Sequence, residues 1–487
     1  MRSTRENRRF FKWEKVRDDF FHGLLGAAER CWPSRANDKH HPHAHLEDPL
    51  SRSFFVRIDP ADRLLPLALH GNVDDHDGKG RGNWPPVKRS MIDPESKNRE
   101  TISLGDACRD EWDIVVVGAG LSGSIAAREA ARLGSKVLLV EKATFPRRKV
   151  CGCFLNANAV ASLARLDLTP LLVASGAPAV RGVFVAAGRS QAYLPLPTGA
   201  ALSRYWLDEQ LSLAAAAAGA SVLLRTEARL AGVDSDCCRL KLTRGDEEAE
   251  IRSRIVVAAD GLAGRLARET EGCQQFINPH SRVGVSAATS LVPKAYQPGT
   301  IQMVVGREGY IGSLQVEDGR VEIAAALDPA AMKRFGPGET VRRILHQSPL
   351  PRFEDVGDLT WQGTMPLSCR TSPPAGRRIF FVGDAAGYIE PFTGEGMAWA
   401  IASGAAVAVT AHEAARHYTA DLPRRWIAQR ERLLRGRMRL CRLVTQSLRH
   451  QRLTELNVAL LGRLPFLAGP VIHWLNRPRP NPSGPRR

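Results

Sequence analysis

The sequence predicts a mixed α/β protein of more than one domain. Three observations predict it. A wholly apolar strand, a glycine loop and an Ala-rich helix follow one another from Glu111 onward. Short alternating strands crowd the stretch between Arg282 and Leu327, and an arginine-rich helical segment begins at Asp421.

Ile114–Val117 is apolar and β-branched throughout, the pattern of a parallel strand buried on both faces. The loop Gly118-Ala119-Gly120-Leu121-Ser122-Gly123 comes next. A helix is expected over Ser122–Leu133, stopped by Gly134 as a C-cap. Lys136–Val140 is a second strand, closing at Glu141. This is a complete β-α-β unit of the Rossmann type in about thirty residues. Asp208–Ala218 reads as a helix, and Ser221–Leu224 and Ile255–Ala259 as strands. The texture then changes to Val283–Leu291, Ile301–Val305, Gly309–Val316 and Val321–Ala326, with Asp318-Gly319 as a hairpin turn. The parallel texture returns at Arg378–Val382, before a Gly/Ala-rich helix from about Gly394 to Ala411. A nucleotide-binding domain over 111–420 is therefore discontinuous, with a substrate-side antiparallel sheet inserted at about 270–375. A helical segment over 421–487 completes the chain.

Composition narrows the classes. The 487 residues carry a net charge of +17, and the excess is local: 421–487 holds 15 Arg, no Lys and 3 acidic residues. The first 110 residues carry 20 basic and 18 acidic residues, with a His cluster at His40, His41, His43 and His45. They read as a poorly ordered extension, apart from a short helix over Asp19–Cys31, and Met91 is an alternative initiator. Asn7–Lys12 superficially resembles a twin-arginine signal, but charged residues follow it instead of an apolar run. No run of about 18 uncharged apolar residues occurs, so no ordinary membrane span is expected. The nine cysteines include no CxxC pair, which speaks against zinc and against a disulfide framework; no metal is expected, and a reducing cytoplasm is the natural location. No aromatic-interleaved basic stripe marks nucleic acid as a partner.

The chemistry sits in the glycine motifs. Gly118 permits the tight turn, Gly120 lets backbone approach a pyrophosphate, and Gly123 lets the helix pack on the strand. Glu141, 23 residues after Gly118, stands where a carboxylate accepts both ribose hydroxyls, with Lys142 beside it. Two later strands end in Asp260-Gly261 and in Gly383-Asp384. The second leads into Pro391-Phe392-Thr393-Gly394-Glu395-Gly396, whose helix N-terminal amides suit the N1/O2 edge of a flavin. A nicotinamide enzyme has no need of this third element, so FAD is the expected cofactor.

The order G-x-G-x-x-G, Asp-Gly, Gly-Asp resembles the superfamily of geranylgeranyl reductases and flavin aromatic hydroxylases, over roughly 111–420. Pro146-Arg147-Arg148-Lys149-Val150-Cys151-Gly152 is similar to the P-R-x-K-x-C-G motif of the reductase branch. Arg204-Tyr205-Trp206-Leu207-Asp208 resembles that family's R-x-x-x-D helix start, whose Arg lies near the cofactor. Gly309–Leu314 stands where prenyl reductases carry Y-x-W-x-F-P-K, Gly264 stands where the family often has Ser, and the W-x-W-x-I-P of flavin halogenases is absent. The resemblance implies an FAD-dependent oxidoreductase acting on an apolar or aromatic molecule. Either it reduces a double bond or, as the alternative, it hydroxylates as a monooxygenase; a flavoprotein without turnover is the reading from another class. NAD(P)H is the expected transient donor, since no second dinucleotide fold is visible. Cys151, beside Arg147, Arg148 and Lys149, is the candidate catalytic side chain, with packing in a C-G-C turn as its other reading. Tyr310 is a weaker candidate for a pocket donor. The 421–487 segment, basic and then apolar, either contacts a membrane surface or packs on the substrate domain with a solvated outer face.

Overall fold

The computed structural model describes residues 100–390 and 392–477. The expectations for the first 99 residues and for Pro391 lie outside them.

Parallel strands Ile379–Phe381, Glu247–Ala258, Glu111–Val117, Val137–Val140 and Ser221–Leu223 stand side by side in that order. Val116 pairs with Leu139 on one side and Val257 on the other. Every residue from Ile114 to Val117 is buried, as a strand covered on both faces requires. One cover is made by helices Leu121–Arg132 and Gly396–Arg416, whose facing surfaces are alanine-rich. They approach closely because Gly404 has no side chain: a Cβ there would overlap the Ser122 carbonyl. The other cover is a three-stranded antiparallel extension, in which Glu227–Val233 pairs with Cys238–Arg244 and Cys238–Arg244 pairs with Glu247–Ala258.

The second sheet has eight strands, in the order Gln362–Pro366, Val283–Thr289, Val321–Leu327, Gly309–Gln315, Thr300–Gly306, Ala179–Ala187, Ser190–Ala201 and Phe154–Leu155. It is thus larger than the 270–375 insert read from sequence. Three strands come from 154–201, where Pro195 and Pro197 and a broken alternation of burial hide the pattern. Ala179–Ala187 joins Thr300–Gly306 in parallel, and every other pairing in this sheet is antiparallel.

The arginine-rich segment is a helix over Leu422–Ser447. Its buried stripe reads Leu422, Trp426, Arg430, Leu434, Arg437, Cys441, Thr445, so two arginines face inward. It packs on Gly396–Arg416 and the neighbouring edge strands of the first sheet, with Trp426 Nε1 donating to the Phe381 carbonyl at 3.2 Å. The next helix of this segment, Gln451–Arg463, packs on the second sheet. Among the described residues no single helix is long and apolar enough to cross a membrane; Gln451–Arg463 and Pro465–Asn476 meet such a length only together, bent by 113°.

Candidate flavin site

The two sheets meet around a cleft of about 1100 Å³, counting space open to solvent. Its floor is the glycine loop and the start of the helix behind it. Gly118 has φ +100°, and a Cβ on it would come within 2.5 Å of the Ala259 carbonyl. A Cβ on Gly123 would overlap the Gly118 carbonyl. These two glycines close the loop on itself. Gly120 differs: a Cβ there would meet only Arg204, Lys149 and Arg147 side-chain nitrogens, at 3.6, 3.8 and 4.0 Å. Three cations thus converge on an open spot at a helix N-terminus, the arrangement a pyrophosphate needs.

The cations are themselves held. Arg204 donates two hydrogen bonds to Asp208 within one helix, and Arg147 bridges Asp208 at 3.1 Å and Glu141 at 3.3 Å. Glu141 is buried at the end of its strand, accepting the Ala119 N–H at 2.9 Å and the Ala143 N–H at 3.0 Å. Lys149 lies 3.7 Å from the Asp384 carboxylate, which also lines the cleft.

Several residues singled out in the sequence fall elsewhere. Arg148 and Lys142 are exposed and do not line the cleft; of the consecutive basic residues it is Arg147 and Lys149 that face the loop. Glu395 is buried under the loop, where its carboxylate receives Asn156 Nδ2 at 2.5 Å and Trp399 Nε1 at 3.1 Å, with Arg437 at 3.6 Å. It ties the arginine helix to the turn rather than facing the cleft. Gly394 and Gly396 do line the cleft, and Gly383 packs on Ser122. Asp260 turns back to accept the Leu266 N–H at 3.1 Å, and burial pushes its carboxyl up to about 6. Gly264 explains this: any side chain there would overlap the Asp260 carboxylate. Gly261 lines the cleft. Asp208, Arg147 and Lys149 were not picked out as site residues, although R-x-x-x-D spacing puts Asp208 one turn from Arg204.

Toward the second sheet the lining becomes small and apolar: Gly284, Met303, Gly312, Ala324–Ala326 and Leu367. Tyr310 is buried there, edge-on to Phe392, with its hydroxyl lacking a hydrogen-bond partner. Burial pushes its phenol well above the ordinary value, so it keeps its proton at neutral pH. Cys151 also lines the cleft. Its sulfur accepts the Cys153 N–H at 3.4 Å; the nearby Cys153 side chain first, then Arg204, lower Cys151 to about 6 against the opposing effect of burial.

Residues 111–416 match the family model described as FAD binding domain. The chain belongs to this family. It is an FAD-dependent oxidoreductase, similar to the menaquinone reductase of Mycobacterium tuberculosis, at 30% identity over 61% of this chain and 75% of that protein. It is also similar to the digeranylgeranylglycerophospholipid reductase of Methanocella arvoryzae, at 26% identity over 61% and 76%. Among solved structures, the geranylgeranyl bacteriochlorophyll reductase-like protein of Thermoplasma acidophilum superimposes with a TM-score of 0.60, at 21% identity over 75% of this chain and 98% of that one. A flavin-dependent brominase gives 0.61, at 18% identity over 75% and 94%. These two likenesses establish the flavoprotein fold, with its Rossmann-type FAD-binding domain and antiparallel sheet.

Proposed function

We propose that this flavoenzyme reduces a carbon–carbon double bond in an isoprenoid lipid. The observation that carries the reading is the cleft beyond the glycine loop, which small and apolar side chains line around one unpartnered hydroxyl. Such a slot accepts an unbranched or methyl-branched chain and offers little to a polar or charged substrate.

Gly118, Gly120 and Gly123, with Arg204, Arg147 and Lys149, would hold the FAD pyrophosphate, and Glu141 the adenosine ribose. Asp384 would take the ribityl hydroxyls, with Gly383 giving it room to reach them. Gly394 and Gly396 would present amides to the flavin edge, and Gly261 would border it from the opposite strand. When bound, the cofactor supplies the hydride. The alanines and glycines of the second sheet exclude water and align the chain, while Tyr310 Oη holds the proton that completes reduction of the bond. Cys151 stands beside this path, and NAD(P)H is the donor that recharges the flavin.

The exposed side chains Leu453, Leu456, Leu460, Leu464, Phe466 and Leu467 support peripheral membrane contact through 421–487, which would bring the cleft to a lipid-borne substrate. They follow one another along and just beyond Gln451–Arg463, whose other side rests on the substrate sheet. Sedimentation with vesicles of anionic phospholipid is expected to fall at least fivefold in L456E/F466E; unchanged sedimentation overturns this contact.

The reductase reading is tested by mixing anaerobically reduced enzyme with aerated buffer. Direct reoxidation without an intermediate is expected. An oxygen adduct that persists before reoxidation overturns the reading in favour of a monooxygenase.

A further inference from the structure

Cys151 and Cys153 both line the cleft, one residue apart. The Cys153 N–H points at Cys151 Sγ at 3.4 Å, and Cys153 Sγ lies 3.8 Å from the Cys151 carbonyl. Cys153 adopts φ +57°, a left-handed conformation that strains any side chain and suits glycine. The backbone here therefore favours glycine, and what the cysteine adds is a second sulfur packed against the main chain of the first cysteine. Cys151 is partly exposed in the cleft while Cys153 is buried behind it. Of the other described cysteines, none lines the cleft.

We propose that Cys151 and Cys153 form a dithiol/disulfide couple that exchanges two electrons with the flavin. The Cys151 thiolate and the Cys153 thiol join in an S–S bond, and the S–H bond of Cys153 is lost. The two electrons and that proton pass to oxidised flavin, giving its singly protonated reduced form; the reverse step restores thiolate and thiol. The site thus stores a second electron pair beside the one on the cofactor, enough for a second reduction without a new donor. The exchange rests on FAD occupying this cleft, whereas the disulfide itself does not.

The test is a thiol count on aerobically purified holoprotein, unfolded in the presence of a thiol reagent, together with an anaerobic dithionite titration. Wild type is expected to show two thiols fewer than its nine cysteines, and the tryptic peptide Val150–Arg165 to be two hydrogens lighter before reduction. It is also expected to take up two electrons more per flavin than Cys153→Gly, a variant whose backbone suits the left-handed position. A full thiol count overturns the proposal, and a disulfide with no extra electron uptake overturns the exchange. A colourless protein that still carries the 151–153 disulfide counts against the cofactor assignment and the exchange while leaving the disulfide intact.

Discussion

The Arg204 guanidinium grips the Asp208 carboxylate through Nε at 2.6 Å and Nη2 at 2.8 Å, both partners buried on one helix. That grip fixes the cation facing Gly120. Lysine cannot reproduce the two-point contact. Arg204→Lys is expected to weaken FAD binding about tenfold, roughly 1.4 kcal/mol, as read by equilibrium dialysis. An unchanged dissociation constant would remove Arg204 from the phosphate site.

The three loop glycines separate folding from cofactor binding. A Cβ at Gly120 meets no backbone atom within 4 Å, so Gly120→Val is expected to fold, with the melting temperature of wild-type apoprotein, and to purify colourless. Gly123→Val drives a side chain into the Gly118 carbonyl and is expected to lose about 3 kcal/mol. Denaturant unfolding of both variants decides this. Stoichiometric FAD on Gly120→Val contradicts the placement of the pyrophosphate.

Tyr310 carries a buried hydroxyl without a partner, an arrangement that costs roughly 1–3 kcal/mol. Tyr310→Phe is therefore expected to raise the melting temperature. It is also expected to lower kcat by about tenfold to a hundredfold with little change in KM, as loss of proton transfer does. A melting temperature below wild type, or a change confined to KM, contradicts the role given to Tyr310 Oη.

Cys151, held near 6 chiefly by the Cys153 hydrogen bond, is a thiolate above that pH and a thiol below it. Its alkylation by iodoacetamide in the reduced protein, followed on peptide Val150–Arg165, is expected to rise with pH to half its plateau near pH 6. Cys153→Gly is expected to move that midpoint upward, toward the ordinary thiol value of about 8.5. A wild-type midpoint near that ordinary value contradicts the thiolate.

Much of this architecture was legible in the sequence because its signals are local. The β-branched run at Ile114–Val117, the glycine loop and Glu141 need only neighbours a few residues away. What escaped depends on contacts between distant segments. Ala179–Ala187 joins the second sheet by pairing with Thr300–Gly306, which no local pattern announces. Among Arg147, Arg148 and Lys149, only the path of the backbone decides which two face the loop. Glu395 sits among glycines that border the cleft, yet its carboxylate turns away because Asn156, Trp399 and Arg437 satisfy it there. Arg430 and Arg437 look like surface residues by type, but their spacing along Leu422–Ser447 puts them on the buried stripe.

The most direct measurement is a reaction without oxygen or added donor, with the lipid in excess over flavin. Photoreduced enzyme would be mixed with a geranylgeranyl-chain phospholipid in detergent, while the visible flavin band and the lipid mass are followed. Return of the oxidised flavin spectrum, with a product two hydrogens heavier, is expected of an isoprenoid reductase. A flavin that stays reduced beside unchanged lipid, and that reoxidises only when oxygen is admitted, would contradict it.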